Sequence, residues 1–238
     1  MTATDTAFVA GATGYVGREV VRVLAERGVR TVAHVRPDSP RLEEWRARFA
    51  RHGATTSAAP WDAEAMAAEL ARVSPTLVFA LLGTTRARIR AEGGDATAGY
   101  EAVDYGLTSL LLRATRRAAP AARFVYLSSL GVGSGARNSY LAVRWRMEEE
   151  LRASGVAYTI ARPGLITGAD REERRPAERA AARVLDALLG VAAIAGGARL
   201  RDRYGSTTGA ALAAALVRLA LDPRAAGRVV ESEELRAV

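Results

Sequence analysis

A chain of 238 residues with 49% hydrophobic and 25% charged side chains is long enough to bury a full core as one large α/β unit. It has no cysteine, which excludes disulfides, thiolate catalysis and cysteine-held metal centres, and its two histidines, His34 and His52, argue against a histidine-rich metal site or a Ser-His-Asp triad. The formal charge of +8 is carried by arginine alone, since no lysine occurs, and the arginines alternate with glutamate over 41–51 and 171–179, as on solvated helix faces and unlike a nucleic-acid surface.

The first residues have neither the basic start nor the apolar stretch of a signal peptide, and no apolar segment approaches the roughly 20 residues that span a bilayer. A cytoplasmic location is therefore expected, with neither membrane nor nucleic acid as a partner. The first predicted strand, 7–10, is a short apolar run that leads into Gly11, Gly14 and Gly17. A helical pattern over 18–27 follows, and Val16, Val20, Val21 and Leu24 share one face. Each glycine has its own use: Gly11 turns the backbone out of the strand, Gly14 removes a side chain that would block a pyrophosphate, and Gly17 lets the helix pack on the sheet. The helix start then offers free N–H groups and a partial positive charge to phosphates, so the turn predicts a dinucleotide site.

Residues 31–35 read as a second strand ending at Arg36-Pro37. The end of this strand faces the adenosine ribose in nucleotide folds, where an acid favours NAD and a base accommodates the 2′-phosphate of NADP. Arg36 lies about 19 residues past Gly17, and Asp38 lies beyond a proline, so NADP is expected. Residues 41–51 form an amphipathic helix, 54–58 a weak strand and 63–73 a helix that stops before Pro75. Asp62 is placed to cap that helix, and its carboxylate can also accept from the adenine amino group.

The run 76–82 is nearly all apolar, as in a parallel strand covered on both faces, and ends in the small-residue turn Gly83-Thr84-Thr85. A polar loop is expected over 86–99, then one long helix over 100–118 with Val103, Leu107, Leu110 and Leu111 inward. Strand 124–127 leads to Ser128-Ser129 and a loop over 130–138. The helix 140–153 places Tyr140 and Arg144 on one face, and strand 156–161 ends in Arg162-Pro163-Gly164. Beyond 170 come an arginine–glutamate run to 179, an apolar helix over 180–189 and an uncharged stretch over 190–198, then a helix over 208–221 and a final strand over 227–231. Strands alternating with helices imply an α/β fold, a doubly wound parallel sheet flanked by helices, with neither an interdomain linker nor a repeat.

In order, Gly11-x-x-Gly14-x-x-Gly17, Ser128-Ser129, Tyr140-x-x-x-Arg144 and Arg162-Pro163-Gly164 resemble the pattern of atypical and extended short-chain dehydrogenase/reductases. More narrowly, Leu82-Gly83-Thr84-Thr85-Arg86, Tyr140-Leu141-x-Val143 and Arg162-Pro163-Gly164 followed by Arg175-Pro176 are similar to the Tat-interacting-protein branch of NADPH-binding oxidoreductases. The resemblance implies one NAD(P)-binding Rossmann domain over 1–238, with a nucleotide-binding core over about 1–165 and a small substrate-covering part over about 166–238. It implies NADP(H) as cofactor, a small-molecule carbonyl or alcohol as substrate, and leaves a homodimer open.

By the same resemblance, Tyr140 gives a proton and Ser129 a hydrogen bond to the reacting oxygen, with Ser128 as the alternative, and the cation beside the tyrosine is Arg144 where the family has lysine. An arginine supplies charge but cannot relay a proton. Two readings therefore stay open: an NADP(H)-dependent oxidoreductase, or a non-catalytic NADP(H)-binding regulatory or sensor protein. Asp104 stands where many relatives carry an asparagine. The cofactor contacts carried over are Gly11, Thr13, Gly14, Tyr15 and Val16 at the phosphates and Arg36 at the 2′-phosphate. Leu82, Gly83 and Thr84 lie along the ribose, Pro163 and Ile166 against the nicotinamide, and Arg175 is a further candidate.

Overall fold

Strand β1 (Thr6–Ala10) is buried at every residue, because it lies in the middle of a sheet covered on both faces. The computed structural model describes residues 5–91, 93–167 and 206–237. On one side β1 pairs with β2 (Arg30–His34), which pairs with β3 (Thr55–Ser57). On the other side come β4 (Leu77–Ala80), β5 (Arg123–Leu127), β6 (Tyr158–Arg162) and finally β9 (Arg228–Glu231). The seven strands run β3-β2-β1-β4-β5-β6-β9, every pair parallel. The order reverses between β1 and β4, and the crevice at their carboxyl ends is where open α/β sheets bind ligands.

Two apolar layers cover the sheet. On one face α1 (Tyr15–Glu26) and α8 (Gly209–Leu221) bring Val20, Val21, Leu24, Leu212 and Leu216 against it. On the other, α3 (Ala63–Val73), α6 (Thr108–Ala118) and α7 (Ser139–Ala153) bring Met66, Leu70, Leu111, Leu112, Met147 and Leu151. Helix α2 (Leu42–Ala50) buries Trp45 and Phe49 beside β3. The alternation of apolar strands and amphipathic helices thus yields the doubly wound sheet expected from it.

Three local expectations are corrected. The loop expected over 86–99 holds two short helices, α4 (Arg86–Ala91) and α5 (Ala96–Gly99), the second capped by Asp95, which accepts from Ala98 N at 2.9 Å. The single helix expected over 100–118 begins as a π-helix, Tyr100–Leu107, and only then becomes α6. The wider turns rotate the inward face, so Leu111 and Leu112 enter the core, while Val103 and Leu107 turn to a cavity at the crevice. A two-residue parallel pair, β7 (Ile166–Thr167) with β8 (Thr207–Thr208), and the short helix α9 (Ser232–Ala237) carry too little periodicity to be read beforehand. Arg175 and the elements expected over 170–198 lie outside the described residues.

Candidate functional site

The turn after β1 is built on close backbone contact. Gly11 has φ of +80°, and a Cβ there would stand 2.5 Å from Leu81 O; a Cβ on Gly17 would stand 2.1 Å from Gly11 O. Only glycine fits either position. Gly14 N donates to Gly11 O at 3.0 Å, and Gly14 itself faces solvent at the start of α1. No side chain caps this helix and its first turn holds no acid, so the first-turn N–H groups and the positive helix end are left to an anion from outside. Gly17→Ala is expected to push the helix off the turn at about 1–3 kcal/mol; thermal denaturation checks this, and an unchanged midpoint would contradict the close packing.

Two cavities meet over this turn. One, of about 370 Å³, reaches from Thr13 and Gly14 to Tyr140, Arg144, Ser128 and Ile166. The other, of about 420 Å³, reaches from the same turn to His34, Arg36, Arg41 and Trp61. Thr13, Gly14 and the segment Leu81 to Thr84 line both, so the pair forms one trough across the switch point with the glycine turn at its waist. The turn, the open helix end and the trough fit a dinucleotide, and each cavity is within the size range of small-molecule sites.

At the first end, α7 starts at Asn138, whose Oδ1 accepts from Tyr140 N at 2.8 Å. The Tyr140 ring lies between the Arg144 guanidinium, 4.8 Å from its centroid, and the edge of Tyr100 at 5.2 Å. Arg144 is 5% exposed. Its Nη2 donates to Asp104 Oδ1 at 2.7 Å and to Leu82 O at 3.4 Å, and its Nη1 to Leu127 O and, at 3.5 Å, to the Tyr126 hydroxyl. Asp104 is fully buried and also accepts from Thr84 N at 3.0 Å. Gly83 is required beside this pair, because a Cβ there would stand 2.8 Å from Arg144 Nη2.

Burial by itself would lower the Arg144 pKa, but Tyr126, Tyr140 and Asp104 more than offset it and hold the guanidinium above its ordinary value. Burial pushes the Asp104 carboxyl up, against the pull of Arg144 and the Thr84 N–H. Burial likewise raises the Tyr126 phenol. Arg144 is therefore a fixed cation with both terminal nitrogens engaged by the protein. It sets a positive charge over the Tyr140 ring and has no proton to pass on.

The serines separate as neighbours along an extended segment do, toward opposite sides. Ser128, 4% exposed, lines the cavity, and its hydroxyl donates to Glu148 Oε1 at 2.6 Å. Glu148 is fully buried and also accepts from Arg162 Nε at 2.9 Å and Arg152 Nη2 at 2.7 Å. Ser129, the expected hydrogen-bond donor, is outside the residues lining the cavity; its Oγ is 3.4 Å from Leu130 O. The structure thus brings Ser128, not Ser129, to the wall beside Tyr140, with its proton directed at Glu148. Of the residues expected against the nicotinamide, Ile166 lines the cavity, and Pro163 is buried and lies outside the residues that line it. Tyr15 and Val16 line it as well, and the Tyr15 hydroxyl donates to Thr167 O at 3.2 Å. Arg18, which the sequence reading missed, also lines this end, 5.3 Å over the Tyr15 ring.

At the other end Arg36 is exposed and 3.8 Å from Asp38. Ser39 and Arg41 join it on the cavity wall, and Arg41 pairs with Glu44 at 2.6 Å. His34 and Trp61 form another wall, edge to face at 4.8 Å, and burial lowers the His34 pKa. Asp62 caps α3 as expected, its carboxylate accepting from Glu64 N at 2.9 Å and Ala65 N at 3.0 Å, and it lies outside the residues that line the cavity, where the adenine contact was expected. Its neighbour Trp61 takes the place at the wall. Ser39, Arg41 and His34 carried no motif that the sequence shows; they come from the end of β2 and the loop before α2, and the cavity sets them opposite Trp61.

Among described residues, no helix is long and apolar enough to cross a membrane. The chain is similar to a fungal protein named fmp52, mitochondrial, from Aspergillus fumigatus, at 34% identity over 176 residues, 71% of this chain and 70% of that protein. That name, which places the fungal protein in mitochondria, overturns the cytoplasmic location expected from the first residues. In fold it is similar to a NAD-dependent epimerase/dehydratase from Bacillus halodurans, with TM-score 0.66 and 17% identity, covering 98% of this chain and 99% of that one. It is also similar to the enzyme WbmH of Bordetella bronchiseptica, solved with NAD+, with TM-score 0.61 and 18% identity over 90% of this chain and 71% of the other. A family profile described as NAD(P)H-binding matches residues 11–187, a span that runs from the glycine turn past Tyr140 and Arg144. With that match over most of its length, the chain belongs to the NAD(P)H-binding family of Rossmann-type proteins.

Proposed function

We propose that this protein is an NADP(H)-dependent oxidoreductase that interconverts a small carbonyl compound and its alcohol. The observation that carries the reading is the continuous trough from the glycine turn to the Tyr140 phenol. A bound nicotinamide supplies or accepts the hydride at the carbonyl carbon. The glycine turn and the uncapped start of α1 hold the pyrophosphate, and Val16 and Ile166 give the nicotinamide end of the cavity apolar lining alongside Tyr140. Tyr140 gives its hydroxyl proton to the oxygen that gains charge, and the fixed Arg144 cation favours the phenolate left behind. The tyrosine regains its proton from solvent, since Arg144 cannot deliver one.

The preference for NADP(H) rests on two arginines and Ser39 at the adenosine end, a donor set suited to a 2′-phosphate. Titration of the purified protein with NADPH and NADH tests this. NADPH is expected to bind more tightly, and Arg36→Ala with Arg41→Ala is expected to weaken NADPH by about 10–100-fold while leaving NADH nearly unchanged. Equal loss for both cofactors would refute the assignment. A second reading, a non-catalytic NADP(H) sensor, draws on Ser128 being committed to Glu148 and Arg144 to Asp104. Tight NADPH binding with no oxidation across a broad carbonyl panel would favour it.

A further inference from the structure

His34 differs from every other polar side chain on the adenosine wall of the trough. Arg36, Arg41 and the two tryptophans there can only donate, and the hydroxyls of Thr13, Ser39 and Thr84 can turn either way. The His34 Nε2 lies 2.8 Å from Ala59 O. A carbonyl can only accept, so Nε2 carries the proton and Nδ1 is left with a lone pair. The ring is 3% exposed, held between Phe8 at 5.8 Å and Trp61 at 4.8 Å, and burial keeps it neutral by lowering its pKa. The carboxylate next to Trp61, Asp62, serves α3 instead, and Asp38 lies 3.8 Å from Arg36.

A base seated against Trp61 therefore meets one obligate acceptor. The amino group of adenine matches it, while the 6-oxo group of hypoxanthine or guanine would set two acceptors against each other. We propose that His34 is a specificity-determining residue that selects adenine over 6-oxopurine dinucleotides by accepting from the amino group through Nδ1. This rests on the dinucleotide reading above. Such a site rejects the ligand that leaves its buried polar group unmatched.

Fluorescence titration of the full chain with NADPH and with reduced nicotinamide hypoxanthine dinucleotide phosphate tests it. The wild type is expected to bind the hypoxanthine form at least about tenfold more weakly. His34→Phe, which keeps an aromatic ring, should bring the two within roughly threefold by weakening NADPH, and His34→Gln, which regains an acceptor, should restore part of the difference. Equal binding of both by the wild type, or full discrimination by a folded His34→Phe, would overturn the assignment and leave the dinucleotide reading intact. Binding of neither ligand would overturn both.

Discussion

Tyr140→Phe is expected to lower kcat for carbonyl reduction by about 10²–10⁴-fold, the usual contribution of a positioned acid or base, with the NADPH dissociation constant nearly unchanged. The separation follows from the site. The phenol is the one hydroxyl that ends the trough between a guanidinium and an aromatic edge, so its loss removes the proton source. The ring stays to fill the same space against Arg144 and Tyr100. The glycine turn and the adenosine wall are remote from the change, so cofactor binding should persist. Steady-state kinetics beside a binding titration measures the two effects. A variant that keeps wild-type turnover would remove Tyr140 from the chemistry, and one that loses NADPH affinity in proportion would show it to be a binding residue.

The second large effect concerns the pair beneath that tyrosine. Asp104→Ala is expected to destabilise the fold by about 3–5 kcal/mol, because it leaves the Arg144 cation buried without its counter-charge. For a chain of this size that lowers the melting temperature by roughly 6–20 °C. The pair is nearly sealed from solvent, with side-chain exposures of 6% for Arg144 and 0% for Asp104, so water cannot substitute for the missing carboxylate, and Thr84 N also loses its acceptor. Replacing both partners together, Asp104→Leu with Arg144→Met, should cost less than Asp104→Ala alone, since no charge is then stranded. Chemical denaturation of the three proteins decides the matter. If the single variant loses under about 1 kcal/mol, the pair behaves as a surface ion pair and Arg144 is not the fixed charge described above.

Much of the molecule was legible in the sequence because its causes are local. Short apolar runs such as Val9-Ala10 and Val78-Phe79, set between turns and helical patterns, suit a parallel sheet covered on both faces, and Gly11 and Gly17 stand where a Cβ would strike backbone. The alternation of strands and helices reads as a doubly wound parallel sheet, whereas the strand order and the trough at the reversal between β1 and β4 belong to the folded sheet. The four-residue spacing of Tyr140 and Arg144 likewise put both on one helix face. What escaped depends on partners distant in the chain. Arg144 is engaged by Asp104, Leu82 and Leu127, and no spacing within α7 shows that both its terminal nitrogens are already held. Ser128 rather than Ser129 reaches the wall, with its hydroxyl on Glu148, which Arg162 at the end of β6 holds in turn. The π-helical turn that carries Tyr100 and Asp104 toward Tyr140 reads as an ordinary helix in one dimension. Local periodicity sets which elements form and in what order they follow along the chain; the strand order and the partner of each buried polar group are set by neighbours that only the closed sheet brings within hydrogen-bonding distance.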